Sequence, residues 1–508
     1  MTKFANSRLF FAGVLFLGLL AMTARPTLDP DLWWHLRTGQ VMVETGHVPH
    51  TDPFSFTRAG QPWIAHEWLA EVIFYLLWKV GGAAALIVFS SVITSAGFLL
   101  LYARCQGAPH WAAAATVLGA LAAAPCWGTR AQMFTFTFAS LLLWLLERAL
   151  DRPLALLWIP PLFVLWVNLH GGFALAPVLL LLIALGLVVE TGTGATPLAE
   201  ARRLLARILL LTVACLALVP LNPNGAHLYR YPFDTVTASE PRSLILEWQS
   251  PDFHRFMYKP FAAVILLLIA GFASKRIHAG ARTLVPLFFL LLAALDATRH
   301  MPIFMLIAVP LLAEAMPPSP AALSFETRRP RHANRGFRAA VLVFLGAFAL
   351  WRWTTLSRTQ ERREAALLPE AAVACLLAQA PSRPANLLAY YDWGGYAIWR
   401  LYPHYRVFVD GRADLYGDLF LKQFRTIMGV GKGWSHLLEK QHVQAVLIPS
   451  DSALAQALLL DPSWTVPCRD SIGIVFLRRA PGGTTPEGNQ DYPNPVVTSR
   501  TIVKWPTK

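Results

Sequence analysis

Charge is what this chain has least of. Asp, Glu, Lys and Arg make up 15% of its 508 residues, against 55% hydrophobic residues, a balance that no ordinary soluble globular protein has. Acids are the scarcer sign, 30 against 44 basic residues, for a formal net charge of +14. That excess is not gathered into a patch. It is spread over the gaps between apolar segments, which is how membrane topology is encoded, and this excludes nucleic acid as the partner. Cysteine is also rare. Of the five, Cys105, Cys126 and Cys215 lie in or beside apolar segments and read as packing residues. Cys375 and Cys468 share the polar C-terminal region and can pair if it lies outside the cytoplasm. None has metal-ligand spacing. After His66–Glu67 the second histidine of an HExxH motif is missing, Ala70 standing in its place, so a zinc protease is excluded. Gly171–Gly172 and Gly394–Gly395 open neither a GxGxxG nor a Walker pattern. No internal repeat is evident at a period of about 20–50 residues.

What the chain has is apolar sequence. Eleven runs, near 9–23, 83–103, 111–127, 131–147, 153–168, 172–190, 204–220, 260–274, 283–298, 301–316 and 339–354, reach or approach bilayer-spanning length. The first follows Lys3 and Arg8 without a small-residue cleavage site and reads as a retained helix. Basic residues fall on alternate connections: Arg104; Arg148 and Arg152; Arg202, Arg203 and Arg207; Lys275, Arg276 and Arg282; then Arg328, Arg329, Arg331, Arg335 and Arg338. The positive-inside rule therefore predicts a cytoplasmic N-terminus in a multi-pass protein of the cytoplasmic membrane. After eleven crossings, everything from about 356 onward lies outside the cytoplasm. The predicted fold class is a polytopic α-helical membrane protein of about eleven transmembrane helices with a C-terminal extracytoplasmic α/β domain. Its parts are a transmembrane body over 1–355, the outer domain over 356–480 and a disordered tail over 481–508. The body carries long outer loops at 24–82 and 221–259 and a basic cytoplasmic linker at 317–338. Strand-like runs at 387–391, 406–409, 444–448 and 473–477 predict a sheet of about four strands.

Against this apolar background the stretch Thr27–Gly39, TLDPDLWWHLRTG, sets Asp29 and Asp31 at a membrane-water interface, followed by Trp33, Trp34, His35 and Arg37. Acids at that depth carry a desolvation cost and mark a site for a cation, a proton or a sugar. Paired tryptophans suit the headgroup level. A capping role at a helix start accounts for one Asp, but not for the second, nor for the further acids Asp52 and Glu67. The loop reads as two amphipathic helices, one ending at Gly46 and one at Gly81–Gly82, with a Pro- and Gly-rich connection between them. Such a loop forms a roof over a membrane cavity.

An acidic first outer loop of two juxtamembrane helices, a polytopic helical body and a C-terminal outer domain together resemble the GT-C glycosyltransferases. That superfamily includes oligosaccharyltransferases, protein O-mannosyltransferases and aminoarabinose transferases. DPDLWWHLR is similar to the D-P-(W/Y)-F-N-(Y/W)-R segment opening the first loop of oligosaccharyltransferase catalytic subunits. Asp29–Pro30 falls on its Asp-Pro, and Arg37 on its Arg after a small shift. The resemblance implies acceptor activation and ligation of a divalent cation, Mg or Mn, by Asp29, with Asp31 as its close rival. Tyr390–Gly394, YYDWG, resembles the WWDYG motif. VFVDG (Val407–Gly411) corresponds to the strand that follows it, and VQAVLIPS (Val443–Ser450) to a later buried strand. In that family the motif helps hold the acceptor, which implies contacts for Tyr391, Asp392 and Trp393. TASE, Thr237–Glu240, fits the T-x-x-E pattern of a loop that covers the site, and Glu247 is an equally good acid. The chain departs from the pattern after its third span. Oligosaccharyltransferases carry a D-x-D or D-x-E pair there; this chain has APCWGTRAQMF, with Arg130 and no acid. Other GT-C branches work without that pair.

A sugar on a polyprenyl phosphate presents its anomeric carbon at the outer interface with phosphate as leaving group. Displacing it requires a base for the acceptor and positive charge for the phosphate. Asp29, Asp31 and Glu67 are the candidate catalytic acids, and Arg130, Arg299 and His300 the candidate phosphate binders. Trp33, Trp34, His35, Asp52, His66, Glu240, Glu247, Tyr391, Asp392 and Trp393 are the candidate acceptor or sugar contacts. His170 either faces the cavity or packs. The expected function is transfer of a sugar from a polyprenyl-phosphate-linked donor to a glycan, lipid or protein acceptor at the outer face of the membrane. The bilayer and the lipid-linked sugar are the expected partners. A lipid or glycan transporter or flippase is the alternative, as is a non-catalytic membrane assembly protein. Transporters place polar groups on broken helices at mid-membrane, whereas here the acids cluster in an outer loop.

Overall fold

The computed structural model describes residues 2–27, 29–237, 245–316 and 331–479. Glu240, most of the linker at 317–338 and the tail at 481–508 lie outside the described residues. The helical body runs α1 (Thr2–Thr23), α2 (Leu32–Thr45), α3 (Trp68–Arg104), α4 (Pro109–Ala123), α5 (Gln132–Arg148), α6 (Ile159–Leu169), α7 (Leu175–Gly192), α8 (Leu198–Leu218), α9 (Tyr231–Thr237), α10 (Lys259–Ala273), α11 (Ala281–Asp296), α12 (Met301–Ala315) and α13 (Arg331–Leu367). Each of the eleven apolar runs falls on a helix. Five described helices, Trp68–Arg104, Gly171–Gly192, Leu198–Leu221, Phe256–Ala273 and Arg335–Leu367, are long and apolar enough to cross a membrane; Ser7–Thr23 and Pro153–Leu169 are shorter apolar helices.

At the centre of the body α12 is buried almost all round, from Met301 to Ala313, as a helix apolar on every side must be. It is met by the small-residue face of α4, with Ala112, Ala115, Gly119 and Ala120. A methyl group on Gly119 would run into Val309, so the glycine is what lets the two backbones approach. The two helices of the first outer loop form as their periodicity predicts. The first ends at Gly46, which takes the left-handed conformation (φ 72°) and donates its N–H to the Met42 carbonyl at 2.9 Å. The predicted stop at Gly81–Gly82 is instead a kink. Gly82 turns to φ 56°, the helix resumes beyond it, and α3 runs on for 37 residues. Glycine accommodates the bend without a clash.

The C-terminal domain is an α/β layer of five strands, β1 (Ala385–Ala389), β2 (Tyr405–Val407), β3 (Ala445–Pro449), β4 (Trp464–Arg469) and β5 (Gly473–Arg478), in the order β2-β1-β3-β5-β4. β1 pairs parallel with β2 and β3, while β5 is antiparallel to β3 and β4. Four strands match the predicted runs. The fifth, β4, reads WTVPCR, half-exposed with an internal proline, and such a run does not advertise a strand. Around the sheet lie α14 (Glu370–Ala378), α15 (Gly394–Leu401), α16 (Ala413–Tyr416), α17 (Asp418–Met428), α18 (Trp434–Lys440) and α19 (Ala453–Leu459). Alternate residues of the strands face opposite ways. Leu387, Ala389, Ala445, Leu447 and Val475 share a core with Trp33, Trp34 and Leu36 of α2. Leu388, Val446, Ile448 and Phe476 face Phe420, Phe424 and Leu454. The first outer loop is thus one wall of the domain's own core. Cys375 of α14 and Cys468 of β4 are joined as a disulfide, their Cα atoms 6.4 Å apart.

A second seam joins loop and domain. Phe56 N–H donates to Val407 O at 3.1 Å and Val407 N–H to Phe54 O at 3.2 Å, so residues 54–56 run beside β2 as an added edge. Behind them Asp52, Arg412 and Asp410 are fully buried. Arg412 donates Nη1 to Asp52 at 2.8 Å and Nη2 to Asp410 at 2.7 Å, and Tyr416 donates its hydroxyl to Asp410 at 2.6 Å.

Candidate active site

Below this seam lies a cavity of about 910 Å³ between the first loop, the body and the C-terminal domain. Asp29, Asp31, Arg130, Glu247 and Arg299 line one part of it; His35, His66, Glu67, His170 and Asp414 line another. Phe98, Phe136, Leu175, Val178, Phe289 and Ile303 supply an apolar wall. Polar groups therefore converge at one end of a space whose remainder suits hydrocarbon.

Asp29 sits between α1 and α2. Its Oδ1 accepts the N–H of Asp31 at 3.0 Å in a turn ahead of α2, and Asp31, at the N-cap position, makes no side-chain cap bond, so helix capping accounts for neither acid. The same carboxylate is gripped by Arg130, whose Nε bonds Oδ2 and whose Nη2 lies 3.1 Å from Oδ1. Arg130 stands in the short loop before α5, and its third nitrogen, Nη1, bonds Glu247. Gln132 donates to the other oxygen of Glu247 at 3.0 Å, and Arg299 Nη1 stands 3.8 Å from it, stacked on the Trp248 ring at 4.2 Å. The result is an alternating row, Asp29–Arg130–Glu247–Arg299. Although burial opposes it, Asp29 and Glu247 hold the Arg130 guanidinium firmly protonated. Although burial would raise the Glu247 carboxyl, Arg130 and Arg299 hold it below its usual range. Burial and Arg299 together keep His300 neutral. Arg130 remains about a quarter exposed, 26% of its side chain, facing the cavity.

Unlike Asp29 and Glu247, Asp31 has no guanidinium bonded to it among the described residues. Its Oδ1 accepts from Trp34 Nε1 at 3.1 Å, and burial together with neighbouring Asp29 pushes it up to about 7. Gly411 of the C-terminal domain packs directly on it; a side chain there would strike the Asp31 carboxylate.

The second polar group centres on Glu67. His66 Nε2 is 3.2 Å and His170 Nε2 3.4 Å from its Oε1, and His35 Nε2 is 3.8 Å from Oε2. Burial would raise Glu67, but these three rings drive it well below the usual carboxylate range. His170 Nδ1 accepts from Gly172 N–H at 2.9 Å and lies 2.6 Å from the Thr135 hydroxyl. Its proton therefore sits on Nε2, facing Glu67, and burial brings its pKa down to about 4. For His66, burial works against the proton but Glu67 outweighs it. Asn222 and Asn224 pin the backbone here, donating to the carbonyls of His66 and Ala65 at 3.3 Å each. Tyr231 stacks on His66 at 3.9 Å, over Gly171, where any larger residue would meet both rings.

Asp29, Asp31, Trp34, His35, His66, Glu67, Arg130, Glu247, Arg299 and His300, all singled out in the sequence, line this one cavity. Others lie elsewhere. Trp33 packs edge-on against Trp78 and Tyr396, Asp52 is buried against Arg412, and Tyr391 packs against Phe424. Asp392 and Trp393 line a smaller cavity of about 340 Å³ with Thr27, Trp33 and Glu364. Gln132, Tyr231, Arg412 and Asp414 line the main cavity without having been anticipated. Arg412 and Asp414 both belong to the charged run DGRAD behind a strand, where nothing local separates a buried charge from a solvated one.

The implied metal can be tested on the donor set. Both oxygens of Asp29 are engaged by a guanidinium, which supplies the positive charge a cation would bring. Among the described residues no three His, Cys, Asp or Glu side chains come together to hold a metal ion. Asp29 and Asp31 do not fit a divalent cation, and no step below is routed through one.

No protein-family model matches the chain, and no curated protein matches it. Among solved structures it is similar to ArnT from Cupriavidus metallidurans bound to undecaprenyl phosphate, with a TM-score of 0.48 at 14% identity over 92% of this chain and 97% of that one. It is likewise similar to the apo state of ArnT from the same organism, with a TM-score of 0.47 at 15% identity over 94% and 98% of the two chains.

Proposed function

We propose that this protein is a membrane glycosyltransferase that moves a sugar from a polyprenyl-phosphate-linked donor to a hydroxyl-bearing acceptor at the outer face of the cytoplasmic membrane. One observation carries the reading: Asp29, Asp31 and Arg130 meet in a single cavity beneath the C-terminal domain, beside an apolar wall. An isoprenoid tail fits that wall. Arg130 and Arg299 then receive the phosphate, Arg130 giving up its Glu247 contact for it while Asp29 keeps the guanidinium aimed. Asp31 serves as the acceptor's base. In the transfer step the acceptor O–H bond breaks and its proton passes to the Asp31 carboxylate. The freed oxygen bonds the anomeric carbon, and the bond from that carbon to the phosphate oxygen breaks with its electron pair leaving on phosphate. A disulfide in the C-terminal domain supports an extracytoplasmic setting for it.

The test is transfer from a polyprenyl-linked sugar by purified Asp29→Asn, Asp31→Asn protein. The amides keep shape and hydrogen bonding but remove charge, so a loss of about 10²–10⁴ in rate is expected, and wild-type transfer would overturn the assignment. Arg130→Ala should weaken use of the lipid donor most. The pH dependence has a definite sign. Asp31 titrates near 7 and accepts a proton only when ionised, so the rate should climb about tenfold per pH unit below that value and level off above it.

A further inference from the structure

Glu71 lies one helical turn beyond Glu67, is 1% exposed, and has no part in the chemistry above. Its Oε1 lies 3.1 Å from His35 Nδ1, while Oε2 has no hydrogen-bond partner among the described residues, so within them the buried carboxylate leans on His35. The contact is built into the crossing of α2 and α3. Gly39, one turn after His35, lies against the Glu71 backbone carbonyl so closely that a methyl group could not be added. On its other side the His35 ring is covered by Trp34, ring centres 3.6 Å apart, and Trp34 donates to Asp31.

We propose that Glu71 and His35 form a positioning dyad for the transfer reaction proposed above, Glu71 fixing the orientation of the imidazole through Nδ1 and holding a cationic ring beside Asp31. A buried carboxylate on Nδ1 turns Nε2 the other way, here toward Glu67 and the cavity. The groups facing His35 are Asp31 on its own helix and Glu67 and Glu71 from the neighbouring segment. Behind Glu67 stand His66 and His170, with Asp414 of the C-terminal domain beside His66; Arg130, bound to Asp29, also acts directly on Asp31. The acids around His35 outnumber the cations, so a protonated ring joins Arg130 in letting Asp31 ionise. Neither Glu71 nor His35 needs to touch the reacting atoms for this.

The test needs no substrate, since a protonated imidazole quenches an indole stacked on it. In the full-length protein in detergent, the pH titration of tryptophan fluorescence should contain a component that Trp34→Phe removes. Its midpoint should lie above the ordinary histidine value of about 6.5. Glu71→Gln should lower that midpoint by about one pH unit or more, Glu71→Asp should restore it, and His35→Gln should abolish the component. If Glu71→Gln does not fold, the wild-type midpoint carries the test, and a Trp34-dependent midpoint at or below the ordinary histidine value of about 6.5 overturns the dyad. A midpoint unmoved by Glu71→Gln, or no Trp34-dependent component in the wild type, overturns the dyad. In the transfer assay, Glu71→Gln should move the acid limb of the kcat/KM profile to higher pH with donor KM unchanged, which a merely structural residue would not do. Absence of transfer in the wild type would sink the proposed function while leaving the fluorescence result standing.

Discussion

At the scale of single residues, burial turns ordinary side chains into decisive ones. Arg412 is 1% exposed, lies over the Trp63 ring at 4.6 Å, and satisfies Asp52 and Asp410 together. Removing a buried charge that neutralises others costs more than the ion pair contributes when intact, because the partners are left uncompensated. Arg412→Ala should therefore destabilise the protein by about 3–5 kcal/mol, read as a lower thermal midpoint and faster proteolytic cleavage of the loop at 47–66. Arg412→Met, with similar volume and no charge, should do no better, since both carboxylates remain. The sequence shows Asp29, Asp31 and Arg130 as oddities, acids and a cation where apolar residues are expected, and they do meet. It hides Glu71 and Arg412, because a charge in a helix or behind a strand looks the same whether solvated or buried. Burial is a property of the packed chain.

At the scale of elements, two close approaches hold the site in shape. α2 and α3 cross at Gly39, and α15 and the strand beyond it meet the first loop at Gly395 and Gly411. Gly39→Ala forces a methyl group onto a backbone carbonyl, which neither helix can avoid by a rotamer change. A loss of about 1–3 kcal/mol is expected, with a drop in the Trp34-dependent fluorescence signal as His35 is moved. Gly411→Ala, pressing on Asp31, should spare the thermal midpoint more than it spares transfer. Helices were legible here because hydrophobic runs and glycine stops are local signals: the Gly46 stop stands where the pattern puts it. At Gly81–Gly82 the same signal marks a kink, since glycine permits the end of a helix without requiring it. β4 escaped notice because a partly exposed strand with a proline is defined by its partner β5.

At the scale of the whole molecule, the basic connections predict the chain's direction across the membrane. Reporter fusions after Arg338 and after Leu477 should fall in opposite compartments, the latter outside the cytoplasm. Alkylation of intact cells should modify Cys375 and Cys468 only after reduction, since they are joined. Finding both fusions on one side would overturn the orientation. The order in which the chain is made sets a further condition. Thr57 gives its hydroxyl to the Phe408 carbonyl across 351 residues of sequence, and its neighbours complete the edge of β2. At about 5–20 residues per second, the loop emerges roughly 20–70 s before the strand it will border. For that interval it has no sheet to join, and Asp52 has no Arg412. A charged connection of an otherwise oily chain must wait, tethered between two apolar helices, until the last quarter of the protein arrives to close over it.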